Sequence, residues 1–441
     1  MRKIAALWAG VLLWTVSLSI SHAEESLQEK IDGAPANATI TLENQTYEGN
    51  LIIRKPITIK GKGNTIIRGD RTGNVIEIES PNVHLDQLKV EHGSKSMNSG
   101  EEYAGVKVNS SNNLIENIEI TDSYHGLFLK NAHNNLVRNV KVKGEVGREG
   151  GLDIAHQGNG IQLVHSNENK VENCNVDGAR DGIYVFYSDK NELTGNRVQN
   201  TRYGVHYMYA HYNSFRNNHF TQNEGGAAIM IARGTKLEGN EFSFHNSSQS
   251  FGVLLQSAQE TVMTDNKFYR NLRGLYIDDA NNGFIKGNQF SNNQVGVEIW
   301  SSANEQVFTE NQFFHNTVPV IRLGMGKSNQ WSKDDKGNFW GADFPLVDLD
   351  QNGVGDNPVQ YSSSLYKLVS ENELIYLFIN SPALGIYEKM NELLQNQEVM
   401  FEDPYPLIRE NKGTNAGSSW IIFLLLLLLA SSYYRWGRKK A

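Results

Sequence analysis

Gly160-Ile-Gln-Leu, Gly182-Ile-Tyr-Val, Gly204-Val-His-Tyr and Gly226-Ala-Ala-Ile stand 22 residues apart, and Gly252-Val-Leu-Leu, Gly274-Leu-Tyr-Ile and Gly296-Val-Glu-Ile resume the interval. Between the glycines runs an Asn-rich corner followed by an apolar pair around another Asn. Asn191-Glu-Leu-Thr-Gly-Asn-Arg-Val, Asn213-Ser-Phe-Arg-Asn-Asn-His-Phe and Asn282-Gly-Phe-Ile-Lys-Gly-Asn-Gln-Phe are examples. A fixed period of this size marks a solenoid. The apolar alternations are three or four residues long and bounded by Gly and Asn, which reads as strand and tight turn rather than helix. Stacked coils place each side chain about 4.8 Å above its counterpart, and Asn tolerates left-handed turns while its amide bonds from coil to coil. The fold class expected is all-β, a right-handed parallel β-helix with 22-residue coils. Short C-terminal helices and a single C-terminal transmembrane segment complete it.

Residues 1–23 read as an export signal, with Arg2 and Lys3 before an apolar run and Ser21-His22-Ala23 at the cleavage positions. The working protein is expected in the periplasm. Its one cysteine, Cys174, has no partner for an internal disulfide and falls 22 residues before Asn196, at a turn-ladder position that suits a small buried residue. The net charge of −8 argues against nucleic acid as a partner. The β-helix is expected over 24–335, already under way in Thr39-Ile-Thr-Leu, Leu51-Ile-Ile, Ile57-Thr-Ile and Val75-Ile-Glu-Ile.

Three coils carry extra residues at one corner. The step to the next glycine is 15 from Val90 to Gly105, 18 from Val142 to Gly160 and 10 from Phe242 to Gly252, against six in a minimal coil. All three loops therefore leave the cylinder along one edge. They carry His92, Met97, Glu101, Glu102, Asp153, His156 and His245, and loops on a rigid scaffold are where binding chemistry concentrates. On the strand beside that edge, Val205 and Tyr207 point inward, so His206 and Met208 point out. Met230 stacks beside Met208 one coil on, with Phe186 on the other side and Tyr184, Tyr276 and Trp300 nearby. Thioether and imidazole ligands suit Cu(I). The candidate copper ligands are His206, Met208 and Met230, completed by a loop histidine such as His156. The alternative is an aromatic and Met face that packs against a partner or a loop.

Residues 336–410 read as a C-terminal cap. Asp348, Asp350, Asn352 and Asp356, with Gly353 between, match the front of a Ca²⁺ loop, but Val359 replaces the bidentate Glu, so calcium would bind weakly. A turn closed by its own Asx hydrogen bonds is the alternative. Over 371–398, Leu374, Leu377 and Phe378, then Leu384, Tyr387, Met390, Leu393 and Leu394, follow helical spacing, with Ser381-Pro382 starting the second helix. Two short amphipathic helices packed on the last coils are expected. A linker at 411–419 leads to an apolar span at 420–436 and a basic cytoplasmic tail at 437–441, which points to anchoring in the inner membrane with the solenoid outside.

With these residues assembled, the sequence resembles the NosD family, periplasmic accessory proteins for maturation of nitrous oxide reductase. Tyr47-Glu-Gly-Asn-Leu-Ile-Ile-Arg-Lys-Pro-Ile-Thr-Ile-Lys-Gly and Gly73-Asn-Val-Ile-Glu-Ile look like its first coils. Asn338-Phe-Trp, the Asp348 loop, Ser381-Pro-Ala and Asp403-Pro-Tyr-Pro-Leu look like its C-terminal pattern. The resemblance implies no catalysis, and action with an ABC-type ATPase and permease in assembling the reductase's copper–sulfide centre. It also implies receipt of copper from a chaperone lipoprotein. It supplies no ligand motif. The runner-up is a carbohydrate-active β-helix, a lyase or epimerase using Arg273, Asp278 and Asp279 with Tyr184 and Tyr276 stacking sugars. A third reading is a binding solenoid whose aromatic stripe docks a partner.

Overall fold

The computed structural model describes residues 25–96, 100–145, 153–324, 328–342 and 344–408. The expected signal at 1–23, the linker at 411–419, the span at 420–436 and the tail at 437–441 lie outside them. Among the described residues no helix is long and apolar enough to cross a membrane.

The chain winds into a right-handed parallel β-helix of about twelve coils. One face is a sheet of twelve strands, one per coil, from Leu51–Ile53 to Val318–Leu323. The remaining perimeter is a 22-stranded sheet with two short strands per coil, such as Glu192–Thr194 and Arg197–Gln199. Register follows the repeat: Ile161, Ile183, Val205 and Ala227 lie side by side and are buried. Phe220, Phe242, Phe268, Phe290 and Phe313 form a continuous stack through the core, closed by Trp340, with neighbouring ring centroids 4.5–5.3 Å apart. Each such pair adds about 1 kcal/mol beyond its burial.

The expected coil-to-coil Asn bonds are present as ladders. From Asn196 through Asn218, Asn240, Asn266, Asn288 and Asn311 to Asn338, each side-chain oxygen accepts the backbone N–H of the previous rung. Cys174 occupies the ladder's first rung: its N–H donates to Asn196 Oδ1 at 2.9 Å, and burial pushes its thiol up to about 12. A small buried residue is what the position holds.

The motif glycines differ from expectation. Apart from Gly160, which immediately precedes the strand Ile161–Val164, they lie inside strands, as Gly182 does in Asp181–Phe186. Close approach is what demands glycine there. A Cβ on Gly182 would stand 2.1 Å from Val198 Cγ1 and 2.7 Å from the Gly204 carbonyl oxygen. The left-handed corners fall to Asn139, Asn173 and Asn217, in one column with Gly195, Gly239 and Gly287 as the Gly or Asn corners predict, and to a second column that includes Tyr187, Tyr209, Ile231 and Asp279.

Both ends are capped. A helix at Leu27–Gly33, started by a Ser26–Glu29 capping box, buries Leu27 and Ile31 against the first coil. Its Gln28 exchanges two hydrogen bonds with the backbone of Ile52, occupying the edge strand. This helix was not anticipated within 24–335. At the other end a helix at Leu365–Glu371, a 3₁₀ turn at Glu373–Phe378 and a helix at Pro382–Leu393 follow the coils. Ser381 caps the last helix as expected. Of the expected apolar face, Leu384 is buried and Tyr387 packs against the same cluster, but Leu374, Leu377, Phe378, Met390, Leu393 and Leu394 are exposed, while Leu365, Val369, Tyr376 and Ile379 are buried. The 3₁₀ turn shortens the period over Glu373–Phe378 and leaves Leu374, Leu377 and Phe378 facing outward.

Candidate functional site

The three long loops leave between the 22-stranded sheet and the twelve-stranded sheet, so they border one edge of the latter, as the spacing predicts. On its outer face the parallel register sets Tyr184 beside His206, and Phe186 beside Met208 beside Met230. Strand alternation makes these outward rows, since Val205 and Tyr207 are fully buried. Met208 and Met230 are half-buried neighbours on adjacent strands, and His206 lies about 7 Å from Met208 along its own strand.

His206 is not free-standing. Its Nδ1 is 2.9 Å from Asp181 Oδ2, and Arg202 donates to the same carboxylate through Nε at 2.9 Å and Nη2 at 2.6 Å. Asp181 is 2% exposed. Burial works to raise its carboxyl, but the hydrogen bonds and charges of His206 and Arg202 outweigh that and hold it below the usual range. Arg202 Nη2 also lies 3.2 Å from Nδ1, but bare lone pairs on Oδ2 and Nδ1 would repel at 2.9 Å, so in the neutral imidazole the proton sits on Nδ1 and Nε2 keeps its lone pair. A carboxylate that fixes a histidine in this tautomer is the usual support of a metal-ligating imidazole. Tyr184 and Tyr203 pack edge-on against the His206 ring, at 5.0 and 5.3 Å.

The Asp181–Arg202–His206 cluster forms one wall of a cavity of about 240 Å³ whose other walls include His125, Gln157, Asn159 and Arg180. Sequence reasoning placed His206 on this face but missed Asp181, Arg202 and His125. A signal existed. Arg202 and His206 fall 21 and 25 residues after Asp181, within a few residues of one repeat, so the coil stacks all three side chains together.

His156 ends a 3₁₀ turn, Ile154–His156, and is exposed; its neighbour Gln157 lines the cavity. His245 turns out to be a core residue. It takes an Asn place in a ladder between Asn223 and Asn271, and burial pushes its imidazole down to about 4. His92 lies 3.4 Å from Asp122, which also pairs with Arg71 and Lys95. Met97 lies outside the described residues. In the loop from 348 to 356, Asp348 accepts the N–H groups of Asn352 and Gly353, Asp350 accepts from Asn352, and Asp356 accepts from Leu349. Asn352 Oδ1 accepts from Val354, so all four candidate calcium ligands close their own turn.

Arg273 is not a surface cation. It is buried, donates to the Gln249 and Ser250 carbonyls, and stands 3.6 Å from the buried Glu298. Glu298 in turn accepts from Trp300 and from Tyr376 of the C-terminal cap. Asp278 is taken up by Ser302 and Gln256, and Asp279 sits at a left-handed corner. Away from this face, His84, Asp86 and Glu116 are a three-residue group with metal-ligand atoms within 4.8 Å of one another, among the described residues. Lys60, Asn117 and Arg138 already satisfy its carboxylates.

Fold and site together define a parallel β-helix protein with a thioether–imidazole row and a polar cavity at its loop-bearing edge. The chain belongs to the NosD family. A curated relative from Pseudomonas aeruginosa, "Probable ABC transporter binding protein NosD", is 30% identical over 403 residues, covering 87% of this chain and 91% of that one. The family model "Periplasmic copper-binding protein (NosD)" matches residues 145–344. Among solved structures, a PL6 alginate lyase complexed with a trisaccharide aligns at TM-score 0.54 and 12% identity, covering 69% of this chain and 81% of that one. The catalytic domain of a GH87 alpha-1,3-glucanase aligns at 0.54 and 13%, covering 72% and 68%. At such identities the likeness is one of fold.

Proposed function

We propose that this protein is a periplasmic accessory factor for maturation of nitrous oxide reductase, handling Cu(I) for assembly of its copper–sulfide centre. The observation that carries the reading is the His206 imidazole, held by Asp181 with Nε2 available, beside the paired thioethers of Met208 and Met230. His206, Met208 and Met230 are the assigned ligands, and His156 is a fourth donor from the loop above. Family membership supports copper and the periplasm, and the relative's name supports an ABC-type permease and ATPase as partners. A chaperone lipoprotein delivers the metal and the reductase receives it. The exposed apolar side chains of the C-terminal cap, Leu377, Phe378, Leu393 and Leu394 among them, suit contact at the inner membrane, where the segment at 420–436 would anchor the chain.

The test is anaerobic Cu(I) titration of the full chain against a competing chelator. The Met208→Ala/Met230→Ala double variant is expected to lose tight binding, and Asp181→Asn to weaken it by roughly 10–100-fold. Tight binding that survives both would remove copper from this face. Absence of binding by the wild type would leave the partner-docking solenoid as the better reading.

A further inference from the structure

A groove of about 780 Å³ runs along the 22-stranded sheet, following the corner between the two short strands of successive coils. Gly63, Gln87, Asn117, Asn139, Asn173 and Gly195 are its corners, one per coil. At about 4.8 Å per coil it is roughly 24 Å long. Its residues belong to the strands and corners of that sheet, so it shares none with the row of His206, Met208 and Met230.

Two residues beyond each corner the register forms a row across the strands. Lys89 stands beside Glu119, Glu119 beside Lys141, Lys141 beside Asn175 and Asn175 beside Arg197. Lys89, Lys141 and Arg197 are exposed on the groove, and none has an ion-pair or hydrogen-bond partner for its side chain among the described residues. In a chain of net charge −8, three unmatched cations in one groove favour an anionic partner. They occupy alternate rungs, about 9.6 Å apart. Between them lie the neutral Asn175 and Glu119, whose carboxylate accepts from Lys143 Nζ at 2.6 Å. A polyanion with a charge on every rung would set one of them against Glu119.

The spacing selects among anionic chains. A polyproline II peptide has three residues per turn and rises about 3.1 Å per residue, so a side chain returns to the same side about every 9.3 Å. A β-strand returns one about every 6.7 Å, which misses alternate rungs. The polyproline II backbone makes no internal hydrogen bonds. The exposed amides of Gln87 and Asn173, without side-chain hydrogen bonds among the described residues, offer it donors and acceptors at the groove's corners. We propose that this groove docks an extended acidic segment of a partner protein in polyproline II form, its carboxylates at every third residue meeting Lys89, Lys141 and Arg197. Three such carboxylates span about seven residues, or about 19 Å, which the groove accommodates.

The test is fluorescence anisotropy with the metal-free full chain at low ionic strength. The probes are a labelled, end-blocked peptide of three Glu-Pro-Pro repeats and an isomer whose three Glu residues are adjacent. The repeat peptide is expected to bind with a Kd of about 0.1 mM, about fivefold or more tighter than the isomer. Lys89→Gln, Lys141→Gln and Arg197→Gln should each weaken it by about threefold, as loss of one exposed ion pair does. The triple variant should abolish binding at an unchanged unfolding midpoint. Lys236→Gln, which removes the same charge outside the groove, is the control and should change nothing. No binding at about 0.5 mM protein overturns the proposal. So does an isomer that binds as tightly, or a control that weakens binding as much as the groove variants. Displacement of the peptide by polygalacturonate at equal carboxylate concentration also overturns it, by reassigning the groove to an acidic polysaccharide. Because no copper is present, the result stands whatever the Cu(I) titration shows.

Discussion

His245 shows how a repeat can disguise a residue's role. Its position in an insertion loop suggested binding chemistry, yet it is buried with Asn223 and Asn271 as ladder neighbours. A buried neutral imidazole with a folded pKa of about 4 is protonated in the unfolded chain first, near 6.5. Below that pH the unfolded state binds more protons, so the stability this residue contributes is complete above about 6.5 and is lost as pH falls towards 4. The loss amounts to about 3 kcal/mol across that window. His245→Asn, which restores the ladder residue, is therefore expected to flatten the acid side of a stability–pH curve measured by urea unfolding. An unchanged curve would show that His245 is not the titrating group. His125 acts in the same direction with a folded value of about 3, so the slope should shrink without vanishing.

Within a single strand the decisive residue is the glycine at its second position. Gly204 in Tyr203–Met208 would place a Cβ 2.5 Å from the Gly226 carbonyl oxygen and 2.7 Å from Phe220 Cδ1. Neither obstacle can step aside: one is backbone in a parallel ladder and the other belongs to the core phenylalanine stack. Gly204→Ala is expected to destabilise by about 3 kcal/mol or more in equilibrium unfolding, as overpacking does. Gly33, with nothing within 4 Å of its Cβ position, is the control and should tolerate Ala nearly neutrally. Equal effects at the two positions would refute close packing as the reason for the motif. The same strand alternation that buries Val205 and Tyr207 presents His206 and Met208, so core and candidate site are two faces of one element.

For the molecule as a whole, a solenoid's ends decide its integrity, because each coil is held only by its neighbours. Asp403 is the fastening of the C-terminal end. Fully buried, it accepts from the Asn338 N–H at 2.7 Å, from Trp340 Nε1 at 2.8 Å and from the Tyr405 N–H at 3.1 Å. One carboxylate thereby terminates the long Asn ladder and the aromatic stack together. Burial raises its carboxyl above the usual range despite those three donors. Asp403→Ala would orphan all three, at a cost of about 3 kcal/mol or more. Hydrogen exchange should show protection falling first in the last coils, around 311–340, with residues 161–208 unaffected. Uniform loss along the chain would mean that the cap does not act locally.

The repeat, its strand-and-corner alternation, the Asn ladders, the loop-bearing edge and the outward direction of His206, Met208 and Met230 were all legible in the sequence. Each follows from a period of 22 and a strand period of two, which are properties of order along the chain. The C-terminal signatures were legible too, though only as pattern: that Asn338, Trp340 and Asp403 meet depends on a return of the chain across 63 residues or more. Other features were settled only by tertiary packing. The glycines at the second strand position proved to answer close approach between coils, and a 3₁₀ turn carried Leu374, Leu377 and Phe378 to the surface. Arg273, an exposed cation by its residue type, was drawn into the core by Glu298, Tyr376 and two loop carbonyls. The Asp181–Arg202–His206 cluster belongs to the same class. Periodicity tells which way a side chain points. What it meets there is decided by loops and neighbouring coils, whose contacts no local pattern encodes.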